Sequence, residues 1–334
     1  MTAVLLSNTA ETPALLGWRF ELEITGECQL RCVHCYADSG PGVGHGTMTA
    51  ADWHRIISDA AKLGVARLQF IGGDPTRHPA FPELLGHAAG TGCRVEVFSN
   101  LVHVQDEWWS LFRLPNVSLA TSYYSDQAKE HGAVTGSANS HHQTRANIDR
   151  AVKWGIPIRV GIIGLDDEQR VEEARTELIR LGVLPEKIKV DRVRGVGRAA
   201  QVAPDVSQLC GHCGDKKLAI GPNGQVWPCV LSRFMNTGNV KITPLAEIVT
   251  SPEWKAAVAT IPAPRRGAGC NPDSDGNDCS PAETISDPSP GALGVFARRG
   301  AGCNPDSDGN DCAPAETISD PAVLASHRAE TAAH

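Results

Sequence analysis

Between residues 19 and 191 the chain alternates short apolar runs with helix-patterned ones, and this alternation restricts the fold more than any other feature. Strand-like runs occupy Arg19-Phe-Glu-Leu-Glu-Ile24, Arg67-Leu-Gln-Phe-Ile71, Arg94-Val-Glu-Val-Phe-Ser99, and residues 117–122, 157–163 and 187–191. Helical spacing fills the intervals. Thr49-Ala-Ala-Asp52 reads as a capping box ahead of Ile56, Ile57, Ala60, Ala61 and Leu63 at helical spacing. Further helices are expected over residues 80–89, 107–111, 140–154 and 168–181. Six such strand–helix repeats predict a parallel sheet with helices outside and right-handed crossovers. In sheets of this kind the reactive residues gather at the carboxyl ends of the strands.

The first strand runs directly into Gly26-Glu-Cys-Gln-Leu-Arg-Cys-Val-His-Cys-Tyr36, which places Cys28, Cys32 and Cys35 in a C-x₃-C-x₂-C spacing. Three thiolates leave one corner of a four-iron cubane open, and an open iron can bind and reduce a small molecule. A structural zinc site needs four closed ligands and usually shows paired C-x₂-C units. The next thiol, Cys93, is remote, although His34 could complete a zinc site. Three unligated thiols in so tight a polar loop is a third reading, and cysteine is more often kept for reactivity than for packing.

Composition narrows the class. The 334 residues are 41% hydrophobic and 21% charged, which fits a soluble globular protein of one large domain plus an extension. A net charge of −7 argues against a nucleic-acid partner. No apolar run reaches the length of a membrane span, so no membrane association is expected. The opening Met1-Thr-Ala-Val-Leu-Leu-Ser7 lacks the features of a signal peptide. Eleven cysteines in such a chain read as metal ligands rather than disulfides, and the expected location is the cytoplasm.

The cysteine loop after the first strand resembles that of the radical S-adenosylmethionine (radical SAM) enzymes. The resemblance implies a partial (β/α)₆ barrel, an α/β fold, with a small irregular Cys-rich C-terminal extension. It also implies a 4Fe–4S cluster on Cys28, Cys32 and Cys35 that binds S-adenosyl-L-methionine, cleaves it reductively and so abstracts a hydrogen atom from substrate. Gly72-Gly73-Asp74-Pro75 is similar to the family's Gly-Gly-Glu-Pro segment, which bonds the methionyl ammonium; Asp74 is one methylene shorter than the usual Glu. Glycines there let backbone approach a ligand closely. By the same resemblance Ser99, Asn100 and Ser122 meet the ribose or carboxylate, and Gly161 and Tyr36 flank the adenine. Ser and Asn at strand ends are also ordinary turn formers. His131, His141 and His142 are expected to be solvated, with no role.

Regularity ends near Gly195. Gly221-Pro-Asn-Gly-Gln-Val-Trp-Pro-Cys229 reads as a hairpin ending in a thiol. Cys213, Gly224 and Cys229, with Cys210 just upstream, resemble the opening of a SPASM or twitch extension, which implies at least one auxiliary 4Fe–4S cluster. A zinc site on Cys210, Cys213, Cys229 and one later cysteine is the alternative. Farther on, residues 265–288 recur as 298–321 with a single change, Ser280 to Ala313, placing Cys270/Cys279 and Cys303/Cys312 in two near-identical copies. Near-identity indicates a duplicated segment rather than a solenoid. The family's C-x₂-C-x₅-C-x₃-C run is absent; Cys270 and Cys279 of the first copy, which lies closer to the folded part, are the candidate remaining ligands. The Asn-x-Asp-x-Asp-Gly string also resembles the start of a calcium loop, but the twelfth position falls on Ala282, with Glu283 one residue late, and no EF-hand helices are expected to flank it. The expected divisions are an N-terminal extension (1–17), the barrel (18–200), the auxiliary-cluster region (201–285) and a duplicated, disordered tail (286–334).

Radical SAM proteins with such extensions often modify ribosomally made peptides. The resemblance therefore implies a precursor-peptide substrate, altered by crosslinking, epimerisation or oxidation, and a reductant such as flavodoxin or ferredoxin. A small metabolite, such as a sugar, nucleoside or cofactor precursor, is the alternative substrate class. A non-catalytic zinc or iron–sulfur module is the alternative from outside enzymology.

Overall fold

The computed structural model describes residues 14–263. The duplicated segment, with Cys270, Cys279, Cys303 and Cys312, the calcium reading and the tail expected to be disordered lie outside the described residues. The elements run β1 (Arg19–Thr25), α1 (Ala50–Lys62), β2 (Arg67–Gly72), α2 (Phe81–Gly90), β3 (Arg94–Phe98), α3 (Trp108–Phe112), β4 (Val117–Ser122), α4 (Ala128–Thr135), α5 (Ser140–Lys153), β5 (Ile158–Gly164), α6 (Val171–Arg180) and β6 (Ile188–Arg192). Then follow β7 (Lys217–Ile220), β8 (Gln225–Trp227), β9 (Gly238–Asn239), α7 (Leu245–Ile248) and α8 (Pro252–Ala259).

Among the described residues one open sheet forms, in the order β6-β5-β4-β3-β2-β1-β7-β8-β9. Strands β1 to β6 are parallel neighbours, as the alternation predicts, and the sheet is a partial barrel. The hairpin of β7 and β8 is also present, but β7 does more than the sequence suggests. It pairs in parallel with β1, from Arg19 against Lys217 to Leu22 against Ile220. The extension is thus built onto the barrel's own edge.

Period-two alternation sorts the strand residues between two environments. Phe20, Leu22, Leu68, Phe70, Val95 and Val97 pack outward into one apolar core with Trp53, Ile56 and Ile57 of α1 and Phe81, Leu84 and Leu85 of α2. Each such fully buried side chain contributes about 2 kcal/mol of burial. Intervening positions carry polar groups that are buried too: Glu21, Glu23, Gln69, Glu96 and Arg159. Arg159 donates twice to Glu96, at 2.8 Å each, and Gln69 donates a third bond at 2.5 Å. Burial alone would raise the Glu96 carboxyl, but Arg159, Arg67 and Gln69 together hold it down at about 2.

The first helix begins at the predicted capping box. The Asp52 amide donates to the Thr49 hydroxyl at 3.1 Å and the Thr49 amide donates to the Asp52 carboxylate at 2.9 Å. One helix is an addition to the sequence reading: α4 precedes α5 between β4 and β5.

Candidate active site

The loop after β1 carries its three thiols to one cavity at the carboxyl ends of the strands. Cys28, Cys32 and Cys35 line it together with Tyr36, Gly72, Gly73, Asn100 and Ser122. The cavity holds about 1000 Å³ of empty space, its open mouth included, and Ile71, Phe98, Ile163 and Leu231 form apolar wall.

Each sulfur already meets donors from the chain. Cys28 Sγ accepts from the Leu30 amide at 3.4 Å and from Asn100 Nδ2 at 3.6 Å. The Ser39 amide donates to Cys35 Sγ at 3.3 Å. The Tyr124 hydroxyl reaches both Ser122 and the Cys32 sulfur. Without a metal, burial pushes the Cys28 thiol well up, the charge of Asp74 adding to it, and pushes Cys32 up to about 12, with Cys35 adding and Arg198 opposing. Thiols held protonated in this way are released to thiolates by metal binding, so metal loading and proton release are coupled here.

Gly72 and Gly73 are required first by the chain itself. Gly72 has φ +132°, and a Cβ there would lie 2.3 Å from the Thr25 carbonyl oxygen; a Cβ on Gly73 would lie 2.2 Å from that of Glu27. The Gly73 and Asp74 amides donate to the same two carbonyls at 2.8 and 2.9 Å. The end of β2 is thereby sewn to the start of the cysteine loop, and both glycines still present backbone to the cavity.

Asp74 is fully buried and does not line the cavity. Its Oδ1 accepts from the Thr76 amide at 3.0 Å and the Thr76 hydroxyl at 2.6 Å. Its Oδ2 accepts from the Ser99 hydroxyl at 2.9 Å and the Asn100 amide at 3.1 Å. The carboxylate therefore braces the ends of β2 and β3 against each other. Pro75, Ser99 and Gly161 likewise stand outside the cavity wall.

Two histidines correct the expectation from sequence. His131 is 1% exposed and lines the cavity, and His141 is 9% exposed. The Tyr124 amide donates to His131 Nδ1 at 3.4 Å, while the Tyr123 hydroxyl bridges His141 at 2.7 Å and Glu177 at 2.6 Å. Burial, with His141 adding, lowers His131 to about 3, so its ring is neutral. His142 is exposed, as expected. Tyr124 and His131 were missed because neither belongs to a motif; only the position of Tyr124, just after the end of β4, hinted at the site.

The cavity fits the group the loop implies. Its three soft sulfur donors suit iron–sulfur ligation. Two wall residues also keep buried polar atoms without a partner among the described residues, the Tyr36 hydroxyl and His34 Nδ1. Such atoms are costly to leave unmade and point to an occupant.

A second thiol group lies under β7 and β8. Cys213 and Cys229 Sγ are 2.8 Å apart and Cys210 adjoins Cys213; all three are buried. Lys217 is 3% exposed beside them. Burial would lower its ammonium, but the three sulfurs and Glu21 raise it. Its charge in turn lowers Cys229, against the effect of burial and with the Cys213 hydrogen bond. Among the described residues no three His, Cys, Asp or Glu side chains converge at the spacing of a single metal ion.

Comparison with known proteins decides the family. The model of the radical SAM superfamily matches residues 22–177, and that of the SPASM iron–sulfur cluster-binding domain matches residues 210–279. The chain carries a radical SAM domain and a SPASM domain. It is a radical SAM enzyme with a SPASM domain, and these domains bring a 4Fe–4S cluster, S-adenosyl-L-methionine and auxiliary iron–sulfur binding. Among characterised relatives, a PqqA peptide cyclase of Methylobacterium sp. (strain 4-46) is 29% identical over 272 residues, 69% of each chain. The radical SAM fold also matches Streptococcus suis SuiB bound to S-adenosylmethionine, with a TM-score of 0.58, 15% identity and coverage of 72% of this chain and 67% of that one. SuiB bound to its precursor peptide SuiA matches with a TM-score of 0.57 at 15% identity, over 72% and 66% of the two chains. No helix among the described residues is long and apolar enough to cross a membrane.

Proposed function

We propose that this radical SAM enzyme modifies a ribosomally made precursor peptide, with Cys28, Cys32 and Cys35 as the ligands of the 4Fe–4S cluster that binds S-adenosyl-L-methionine. The observation that carries the reading is the meeting of these three thiols at one cavity with partly apolar walls, at the mouth of a barrel whose extension carries a second thiol group. When bound, the cluster and S-adenosyl-L-methionine supply an electron and the abstraction of a hydrogen atom from an unactivated C–H bond. The chain's own residues prepare the place for it. Backbone at Gly72 and Gly73 and the polar groups of Asn100, Ser122 and Tyr36 hold the cofactor. Ile71, Phe98, Ile163 and Leu231 exclude water from the reacting atoms. Asp74 and Ser99 act from behind, fixing the strand ends that carry those groups.

Cys210, Cys213 and Cys229 are proposed ligands of an auxiliary 4Fe–4S cluster, with Lys217 as the buried cation that offsets their charge. Cys270 and Cys279, outside the described residues, are the candidates for its fourth ligand. A low-potential donor, flavodoxin or ferredoxin, and a cytoplasmic location belong to the same reading. The peptide class is supported by the PqqA peptide cyclase relative and by the SuiA-bound neighbour.

The test is incubation of the anaerobically reduced enzyme with S-adenosyl-L-methionine and a precursor peptide encoded beside its gene. The expected product is a peptide of altered mass or stereochemistry. Formation of 5′-deoxyadenosine with an unaltered peptide would count against the peptide class and in favour of a small metabolite.

A further inference from the structure

The turn that follows β6 doubles back onto the cysteine loop. The Arg198 amide donates to the Cys35 carbonyl at 2.9 Å. Its guanidinium then spans the loop, donating from Nη1 to the Cys32 carbonyl and from Nη2 to the Ser39 carbonyl, each at 2.6 Å. Gly197 makes this approach possible. It has φ +62°, and a Cβ there would lie 2.2 Å from the Tyr36 carbonyl oxygen and 2.5 Å from that of Cys35. One further group meets the guanidinium: the Asp38 carboxylate, 3.2 Å away on the outer side, its side chain 71% exposed. A segment more than 150 residues distant in sequence thus closes over three consecutive features of the loop, two of them cysteines.

We propose that Gly197-Arg198 is the second half of the iron–sulfur loop, with Arg198 as a positioning residue that both clamps the cysteine backbone and sets the charge around the cluster. The inference rests on the reading that this loop holds a 4Fe–4S cluster. A guanidinium fork fixed on two carbonyls holds the loop between Cys32 and Ser39 at one length. A fixed cation beside a thiolate-bound cluster favours its more negative, reduced state, because cluster potential follows local charge and the hydrogen bonding around the sulfurs. Asp38 offsets part of that cation. A clamp of purely mechanical value would affect how well the cluster is retained, but not its potential.

Two substitutions make opposite charge changes at this point. Arg198→Gln removes the cation, and Asp38→Asn removes the carboxylate that faces it. Asp38 has φ +52°, a conformation that Asn adopts readily, so the exchange leaves the loop geometry intact. Full-length wild-type protein, both variants and Arg198→Lys are reconstituted anaerobically. Iron and sulfide are counted, and the midpoint potential is followed by electron paramagnetic resonance during redox titration. Arg198→Gln is expected to shift the midpoint to more negative potential and Asp38→Asn to shift it to more positive potential. Arg198→Lys is expected to keep the midpoint near wild type while losing iron faster to a chelator. Unchanged midpoints in the first two variants, or shifts in the same direction, overturn the proposal. Should Arg198→Gln fail to fold, Asp38→Asn decides alone: a positive shift supports the proposal, and no shift or a negative one overturns it. Wild-type protein that takes up no 4Fe–4S cluster would remove the reading beneath it, a result distinct from loaded protein with unresponsive midpoints.

Discussion

The Asn100 side-chain amide donates to the Cys28 sulfur across 3.6 Å, and its orientation is not free. Asn100 Oδ1 is claimed by Gln29 Nε2 at 2.8 Å and by the Val102 amide at 2.9 Å, which leaves only the NH₂ group to face the thiol. Groups that orient and bond metal ligands typically change affinity about 10–100-fold when removed. Asn100→Ala is therefore expected to lose iron to a chelator about tenfold faster than wild type. Equal rates would show that this contact contributes nothing to cluster retention.

Asp74 gathers the Thr76, Ser99 and Asn100 donors on one buried carboxylate. Asp74→Ala leaves buried hydroxyls and amides without an acceptor and should cost about 3 kcal/mol. Urea unfolding monitored by circular dichroism checks this. A loss under about 1 kcal/mol would mean that the strand ends are braced by other means.

The Glu96–Arg159 pair makes stability depend on pH in a defined window. The Glu96 carboxyl is held at about 2 in the folded chain against an ordinary value of 4.5. Its contribution is thus complete above about pH 4.5, and is lost as pH falls from there toward about 2. The shift corresponds to about 3 kcal/mol. Metal-free wild type should lose stability across that window, and Glu96→Gln should show a flatter profile there. Glu96→Gln should also be less stable near neutrality by about 3 kcal/mol or more, because Arg159 is left buried with its charge unmatched. Parallel profiles for the two proteins would contradict the assignment.

Much of this architecture is written in the local sequence. The capping box at Thr49 and Asp52, the strand runs and the spacing of Cys28, Cys32 and Cys35 are local signals, and the structure realises each one nearby in the chain. What escaped is decided by distant partners. Nothing in Lys217–Ile220 announces that β7 pairs in parallel with β1, because a four-residue run carries no register information of its own. Helix α4 contains Gly132, whose missing side chain admits the Ser137 carbonyl 3.1 Å from where a Cβ would stand, so helical periodicity is weak there. His131 and His141 look like surface residues until Tyr123 and Tyr124, just after β4, pack against them. The carboxylate of Asp74 reads as a ligand group because the motif places it at a strand end. Its engagement by Ser99 and Asn100 depends on β3 lying alongside, which sequence spacing does not encode.

The second thiol group can be tested apart from the first. Cys213→Ser is expected to lower the iron content by about four per chain while cleavage of S-adenosyl-L-methionine continues, since its sulfur does not line the cavity that Cys28 lines. Unchanged iron, or zinc in place of iron at this position, would contradict an auxiliary cluster.

The central claim is that Cys28, Cys32 and Cys35 leave an iron open to S-adenosyl-L-methionine. The most direct measurement is 5′-deoxyadenosine formation by anaerobically reconstituted, chemically reduced protein, beside a Cys28/Cys32/Cys35→Ala variant. The account predicts 5′-deoxyadenosine and methionine from the wild type and none from the variant. No cleavage by iron-loaded wild type, or three thiols closed around zinc, would contradict it.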